Sequence, residues 1–245
     1  MCFQEAKIIK ALNHPFIVKH FDSFMTQDEK LCIVMEFADS GDLTSKIKLC
    51  HQRRKRLTEN DILNIITQIL LGIKHVHDRK VIHRDLKCDN VFITKEGKVK
   101  IGDFGISKVL MHTMQKGMSM AGTPNYFSPE IISGQPYTSK TDVWSIGCIL
   151  YELCALKPAF NDVGSGLSGL AAAIQSGEYD PVPSCYSSEL NDLLESMLNT
   201  DSKQRLDIEQ ILALPIIHSR IDGVLPQSII QDEFGHTVLH GYNVL

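Results

Sequence analysis

The sequence predicts an α+β fold, a mostly helical body behind a small β portion, on three observations. Between residues 58 and 76, Ile62, Ile65, Ile66, Ile69, Leu70, Ile73 and Val76 fall on one stripe at helical spacing. Residues 142–154 are apolar almost all round, the pattern of a helix buried at the centre of a body. Near the front, two strand-like runs, 16–24 and 31–37, are joined by polar residues 26–30 and read as an antiparallel pair.

Taken in order, residues 3–12 read as a helix with Ile8, Ile9 and Leu12 on its apolar face, ended by Asn13-His14-Pro15. The strand pair follows, then a polar turn at 38–42 that reads as a hinge between two lobes. Arg53-Arg54-Lys55-Arg56 is read as a solvated loop, with a docking patch as the alternative. Thr58 with Asp61 forms a capping box at the head of the long amphipathic helix. That helix delivers the chain into residues 83–90. The runs 91–93 and 99–101 flank Lys95-Glu96-Gly97-Lys98 as a second hairpin. From 105 to 128 periodicity is poor and Gly, Ser, Thr and Met are common, which marks a long functional loop. Further helices are predicted at 166–174, 188–198 and 207–214, and no internal repeat runs through this body.

The composition excludes several classes. Hydrophobic residues make up 43% and charged residues 22% of the 245 positions, as in a soluble globular protein with a substantial core. The net charge of −4 argues against a general nucleic-acid binder. Seven scattered cysteines with no CxxC pair read as reduced thiols, neither a disulfide frame nor a zinc site. No apolar stretch reaches membrane-spanning length and no signal peptide opens the chain, so no membrane partner is expected and the location is read as cytoplasmic, with nucleus or cytoskeleton as alternatives.

The chemistry concentrates in His83-Arg84-Asp85-Leu86-Lys87-Cys88-Asp89-Asn90 and, beyond the second hairpin, Asp103-Phe104-Gly105. Two acids and an amide at these spacings suit metal ions held against a polyphosphate while a base addresses a hydroxyl. A single such triplet would more often bond local backbone in a turn. The eight-residue run together with the later triplet resembles the catalytic loop and metal-binding triplet of eukaryotic protein kinases. The resemblance extends from Glu5 to about residue 230. It implies a protein-kinase-like α+β fold with a mostly helical C-lobe (38–230) and a truncated β N-lobe (1–37), ATP and Mg2+ as cofactors, and protein substrates.

Residue by residue, the resemblance makes Asp85 the group that accepts or orients the substrate hydroxyl proton, and Lys87 the phosphate-contacting lysine of serine/threonine-specific members. It makes Asn90 and Asp103 the magnesium ligands. Met35 falls at the gatekeeper, Glu36 and Ala38 offer backbone to adenine, Asp42 reaches the ribose, and Phe92 lies on the nucleotide. Arg84 becomes the arginine that pairs with a phosphate on the activation loop, and His83, Phe104 and Ile9 become packing residues of a spine. Asp142 would hold the catalytic-loop backbone from the start of the central helix. Glu130 of Ser128-Pro129-Glu130 would form a buried structural ion pair with Arg205.

The segments His75-Val76-His77-Asp78-Arg79, Gly102-Asp103-Phe104-Gly105-Ile106-Ser107-Lys108, Gly122-Thr123-Pro124 and Gly147-Cys148-Ile149-Leu150-Tyr151-Glu152-Leu153-Cys154 are similar to the NIMA-related (NEK) branch. There Ser119 would be the activating phosphosite and Thr123 a second regulatory position. Asn125 stands where an aromatic residue is usual, and Ser128 replaces alanine. Glu5 matches the acid that partners an ATP-contacting lysine, but no glycine-rich loop or lysine-bearing strand precedes it, and Lys7 points to another helix face. A start at Met1 in mid-lobe reads as a fragment or an incomplete gene product. At the other end, residues 231–245 form a tail. Within it Thr237-Val238-Leu239-His240 resembles the opening of an ankyrin repeat, with ankyrin-mediated partners implied in a longer product. Three functions compete: an ATP-dependent serine/threonine kinase of NEK type, a truncated, non-catalytic kinase-like scaffold, and an ankyrin-type interaction protein in which the kinase body is only a platform.

Overall fold

The structure, a computed structural model, describes residues 12–104, 124–161 and 166–240, with the backbone alone at 232 and 235–240. The first predicted helix (all but Leu12), Glu5, Lys7, Ile9, Ser119 and Thr123 lie outside the described residues.

At the front, β1 (His20–Met25) and β2 (Leu31–Met35) pair antiparallel, with a register shift between His20 and Asp22. Both strands are shorter than the sequence runs, because residues 16–18 turn inward. Phe16, Ile17 and Val18 are buried, and Val18 N–H donates to the Ile101 carbonyl. The hairpin itself is thinly covered: Phe21 is 57% and Phe37 87% exposed, with Phe24, Met25, Val34 and Met35 also at the surface.

The predicted hinge at 38–42 leads directly into a helix that the pattern did not show, α1 (Leu43–Gln52). Only Leu43 and Ile47 of it are buried, so few of its residues mark a core-facing stripe. Asp42 Oδ1 caps it by accepting the Ser45 N–H at 2.7 Å. The long stripe forms α2 (Glu59–Asp78), with Thr58 accepting the Asp61 N–H. Then come β3 (Val91–Ile93) and β4 (Val99–Ile101), paired antiparallel as predicted.

After residue 124 the body is helical throughout. A short turn of helix, α3 (Pro129–Ile132), precedes the central α4 (Ser139–Ala155), which is buried on every side from Thr141 to Cys154. Around it lie α5 (Gly166–Ser176), α6 (Ser188–Met197), α7 (Ile208–Leu212), α8 (Pro215–His218) and α9 (Ile221–Val224). The helix predicted over 207–214 ends at Leu212, and Pro215 begins a separate turn beyond it. The last helix, α10 (Gln227–His240), crosses the boundary expected at 230/231. Its Ile229, Ile230 and Phe234 pack on the core, and the ankyrin-like stretch 237–240 is helical backbone. Among the described residues, no helix is long and apolar enough to cross a membrane.

Candidate active site

Of the predicted site residues, Arg84, Asp85, Lys87, Asn90 and Asp142 come together on the loop after α2 and the first turn of α4. Asp142, in the first turn of α4, is 1% exposed and accepts from three donors. Oδ2 takes the His83 N–H at 2.9 Å and lies 2.8 Å from His77 Nε2; Oδ1 takes the Arg84 N–H at 3.0 Å. A buried carboxylate is tolerable because all three partners are polar hydrogens and the helix N-terminus favours negative charge. The loop backbone is thereby held even though Arg84 sits at φ +70°, in the left-handed region.

His83 is fully buried, and burial holds its imidazole below the ordinary histidine pKa, against the pull of Asp142. The geometry agrees with a neutral ring. Its Nε2–H donates to the Gly102 carbonyl at 3.1 Å, while Nδ1 accepts the Asp85 N–H at 3.4 Å. One tautomer satisfies both. The ring also packs on Phe104, centroid to centroid 4.6 Å, as the spine resemblance implies.

Asp85 and Asn90 lie side by side. Asn90 Nδ2 donates to the Asp85 carbonyl at 2.7 Å and to Asp85 Oδ2 at 3.1 Å, and Lys87 Nζ stands 3.8 Å from the same carboxylate oxygen. With its amide hydrogens on Asp85, Asn90 offers its carbonyl oxygen as the remaining donor atom. The Asn90 main-chain carbonyl accepts the Gly102 N–H at 3.0 Å, which sets Asp103 beside the loop. Asp103 is exposed and has φ +52°. Gly102 itself must lack a side chain: a Cβ there would lie 2.9 Å from the Phe92 ring and 3.1 Å from Val18. Asp42 is bridged to Phe92 through the backbone, so the 38–42 turn and β3 are one unit.

Two residues missed by sequence reasoning, Tyr126 and Glu152, support the loop from below. The Cys88 N–H donates to Tyr126 Oη at 3.4 Å, and Tyr126 in turn donates to Glu152 Oε2 at 2.9 Å, from α4. Burial pushes both the Glu152 carboxyl and the Tyr126 phenol up. His77 was legible only as part of a family-like run; its role as a ligand of Asp142 was not.

The hinge residues are less concentrated. Met35 is at the surface and Ala38 half-buried, while the Glu36 side chain turns to the back, pairing with Lys100 at 2.8 Å and accepting the Lys19 N–H at 3.1 Å. The Arg84 guanidinium faces the Tyr137 ring at 5.8 Å, and its Nε has no hydrogen-bond partner among the described residues. Ser119 and Thr123, its expected neighbours, lie outside the described residues.

Away from the site, Arg205 and Glu130 meet in a two-point pair at 2.8 and 3.0 Å. Arg205 is wholly buried; its other donors go to the carbonyls of Asn199 and Lys140, and its plane lies 5.0 Å from the Trp144 ring. The pair ties α3 to the segment before α7 and touches no catalytic residue.

Residues 1–217 match the protein kinase domain family. The chain is 41% identical over 237 residues to the serine/threonine-protein kinase Nek5 of Homo sapiens, covering 96% of this chain and 33% of that protein. It is 41% identical over 236 residues to Nek3 of Mus musculus (96% and 45%), and 40% identical over 231 residues to Nek1 of Mus musculus (94% and 19%). The chain thus spans less than half the length of these curated relatives.

Proposed function

The chain belongs to the protein kinase family, and on that premise we propose that its gene product is an ATP- and Mg2+-dependent protein serine/threonine kinase of NEK type. The observation that carries this is the joined placement of Asp85, Asn90 and Asp103: the first two share a hydrogen bond, and the third follows a residue bonded to the Asn90 main chain. In the reaction a serine or threonine hydroxyl oxygen bonds to the γ-phosphorus of ATP. The bond from that phosphorus to the β–γ bridging oxygen breaks, ADP leaves, and the hydroxyl proton passes toward the Asp85 carboxylate. Lys87, beside Asp85, would place positive charge on the transferring phosphoryl group.

The donor set fits magnesium. Mg2+ takes hard oxygen ligands and few protein groups, keeping phosphate oxygens and waters for the rest, so one amide oxygen and one carboxylate suffice. Asn90 and Asp103 would hold it; when bound, it neutralises charge developing on the phosphate oxygens. Met35, the backbone of Glu36 and Ala38, Asp42 and Phe92 would line the adenosine. Arg84 would pair with a phosphate on Ser119 or Thr123, a role that suits an Nε with no partner among the described residues. Protein substrates and an intracellular, cytoplasmic location complete the reading. The latter is supported by thiol usage: all six cysteines among the described residues are free.

The test is transfer of labelled γ-phosphate to a serine/threonine protein acceptor by the full-length gene product, compared with Asp103→Asn. Transfer that vanishes in the variant supports the reading, and transfer that survives it sinks the assignment of Asp103. The second reading, a non-catalytic kinase-like scaffold, is favoured by the exposed apolar face of the β1–β2 hairpin beside the hinge. It predicts no thermal stabilisation of residues 1–245 by Mg-ATP, and tight binding would remove it.

A further inference from the structure

The strongest charge asymmetry in the molecule lies outside the site. Between Lys46 and Arg56 the chain carries six lysines and arginines (Lys46, Lys48, Arg53, Arg54, Lys55, Arg56) and no acid, so the net charge of −4 divides into +6 here and −10 elsewhere. Among the described residues no carboxylate pairs with any of the six. Several lysines elsewhere do find partners: Lys74 with Asp78, Lys95 with Asp39, Lys100 with Glu36 and Lys157 with Asp180. An ordinary solvated face mixes signs; this one is left uncompensated and exposed from Lys48 through Arg56, the half-buried Cys50 excepted.

The backbone adds an independent observation. Helix α1 ends in a Schellman turn: Arg54 N–H donates to the His51 carbonyl at 3.1 Å and Lys55 N–H to the Cys50 carbonyl at 3.0 Å. The residue after the cap of such a turn lies in the left-handed region and is usually glycine. Here it is Arg54, at φ +51°. Folding alone favours glycine at 54; Lys80, at φ +58°, holds the same place in the turn that ends α2. The run is also fixed in place, because Arg56 Nη1 donates to the Cys154 carbonyl at the end of α4 at 3.0 Å. A cationic turn fixed in place, with no carboxylate partner among the described residues, is a display.

We propose that the Arg53–Arg56 turn is a docking site for a short Asp/Glu-rich segment of a partner protein. The guanidinium fork matches a carboxylate in two points, and three of the four residues are arginine. The size of the patch selects against broader polyanions. A duplex or a membrane plane extends past the turn and meets the net −10 of the remaining surface, whereas a short acidic segment covers the turn alone. The turn sits at the far end of α1 from Asp42, about 15 Å along a ten-residue helix, so docking there is separate from phosphoryl transfer.

The experiment measures fluorescence anisotropy of a labelled Asp/Glu-rich peptide on the full chain, with a Ser/Asn peptide of equal length as control. The acidic peptide should bind saturably and more weakly as salt rises. The double variant Arg53→Glu/Lys55→Glu, at exposed positions, should lose about tenfold or more in affinity with an unchanged Tm. Arg54→Gly should raise the Tm while weakening binding, opposite signs that a merely structural role would not produce. Absent binding, or binding unchanged by the charge reversal, overturns the proposal. So does tighter binding of duplex DNA or phosphatidylserine vesicles than of the peptide at the same ionic strength. An Arg54→Gly variant with a lowered Tm removes the argument from strain.

Discussion

The catalytic loop and the β1–β2 hairpin are built on opposite terms. Both are short, irregular or edge-bound stretches that a helical body must hold. In the loop, the main-chain N–H groups of His83, Arg84, Asp85 and Cys88 each have a side-chain acceptor, and those acceptors come from distant elements or from His83 itself. In the hairpin, the main chain is satisfied chiefly between its own two strands, and the side chains meet solvent: six large apolar residues in and beside it are exposed. An isolated two-stranded hairpin is marginal in water, so its order depends on its roots, Phe16 to Val18. Stability in this molecule therefore follows how many distant groups each segment engages, and four outcomes would break or sharpen that contrast.

The largest effect belongs to the body. Arg205→Ala leaves Glu130 buried without its cation, and unfolding should be favoured by roughly 3–5 kcal/mol. Denaturant melts would show it. Arg205 holds the Glu130 carboxyl below its usual range against burial. The wild-type pair therefore contributes stability above the unfolded carboxylate value, lost as pH falls through the lowered folded one.

Next comes the junction between the two regions. His14 is buried, its Nδ1 accepts the Phe16 N–H at 3.2 Å, and burial lowers its pKa from 6.5 to about 4. Glu233 opposes the shift while His75, Arg79 and Lys100 add to it. The unfolded chain takes up the proton first as pH falls. Stability should thus rise between about pH 4 and 6.5 and level off above, by about 3 kcal/mol at most. His14→Gln should flatten that slope in Tm measured against pH; an unchanged slope would assign it elsewhere.

A smaller, more local loss is expected at Asp142→Asn, which keeps the shape but removes one charged acceptor from the His83, Arg84 and His77 set. About 2 kcal/mol is expected, with faster amide exchange at His83 and Arg84 than in the hairpin. Least affected of all should be Phe37→Ser. Its ring is 87% exposed, so stability should move by less than about 0.5 kcal/mol. A clear loss there would mean that the hairpin face is covered in solution, and the contrast would fail.

Reading the chain without coordinates located the chemistry better than its supports. Asp85, Asn90 and Asp103 stand out because residue type and spacing within a short window are themselves the signal. The long α2 and central α4 were legible for the same reason, their periodicity being local. Helix α1 was not: LTSKIKLCHQ buries two residues, and what makes it a helix is the Asp42 cap and its packing beside the Cys88–Asn90 turn. Glu152 read as one polar residue in an apolar helix, and nothing nearby in sequence named Tyr126 or Cys88 as its company.

By itself, then, the sequence determined the helical body and the second hairpin, since each rests on periodicity or turn chemistry carried within a few residues. Only the tertiary structure decided that His77 joins the loop main chain on the Asp142 carboxylate, that His83 donates from Nε2 to the Gly102 carbonyl, and that the Glu36 side chain pairs with Lys100. It likewise decided that Arg54 occupies a glycine's conformation. Each of these depends on burial, or on a partner brought close by folding. Desolvation, hydrogen-bond direction and backbone strain act over a few ångströms in space, a distance that spacing along the chain does not encode.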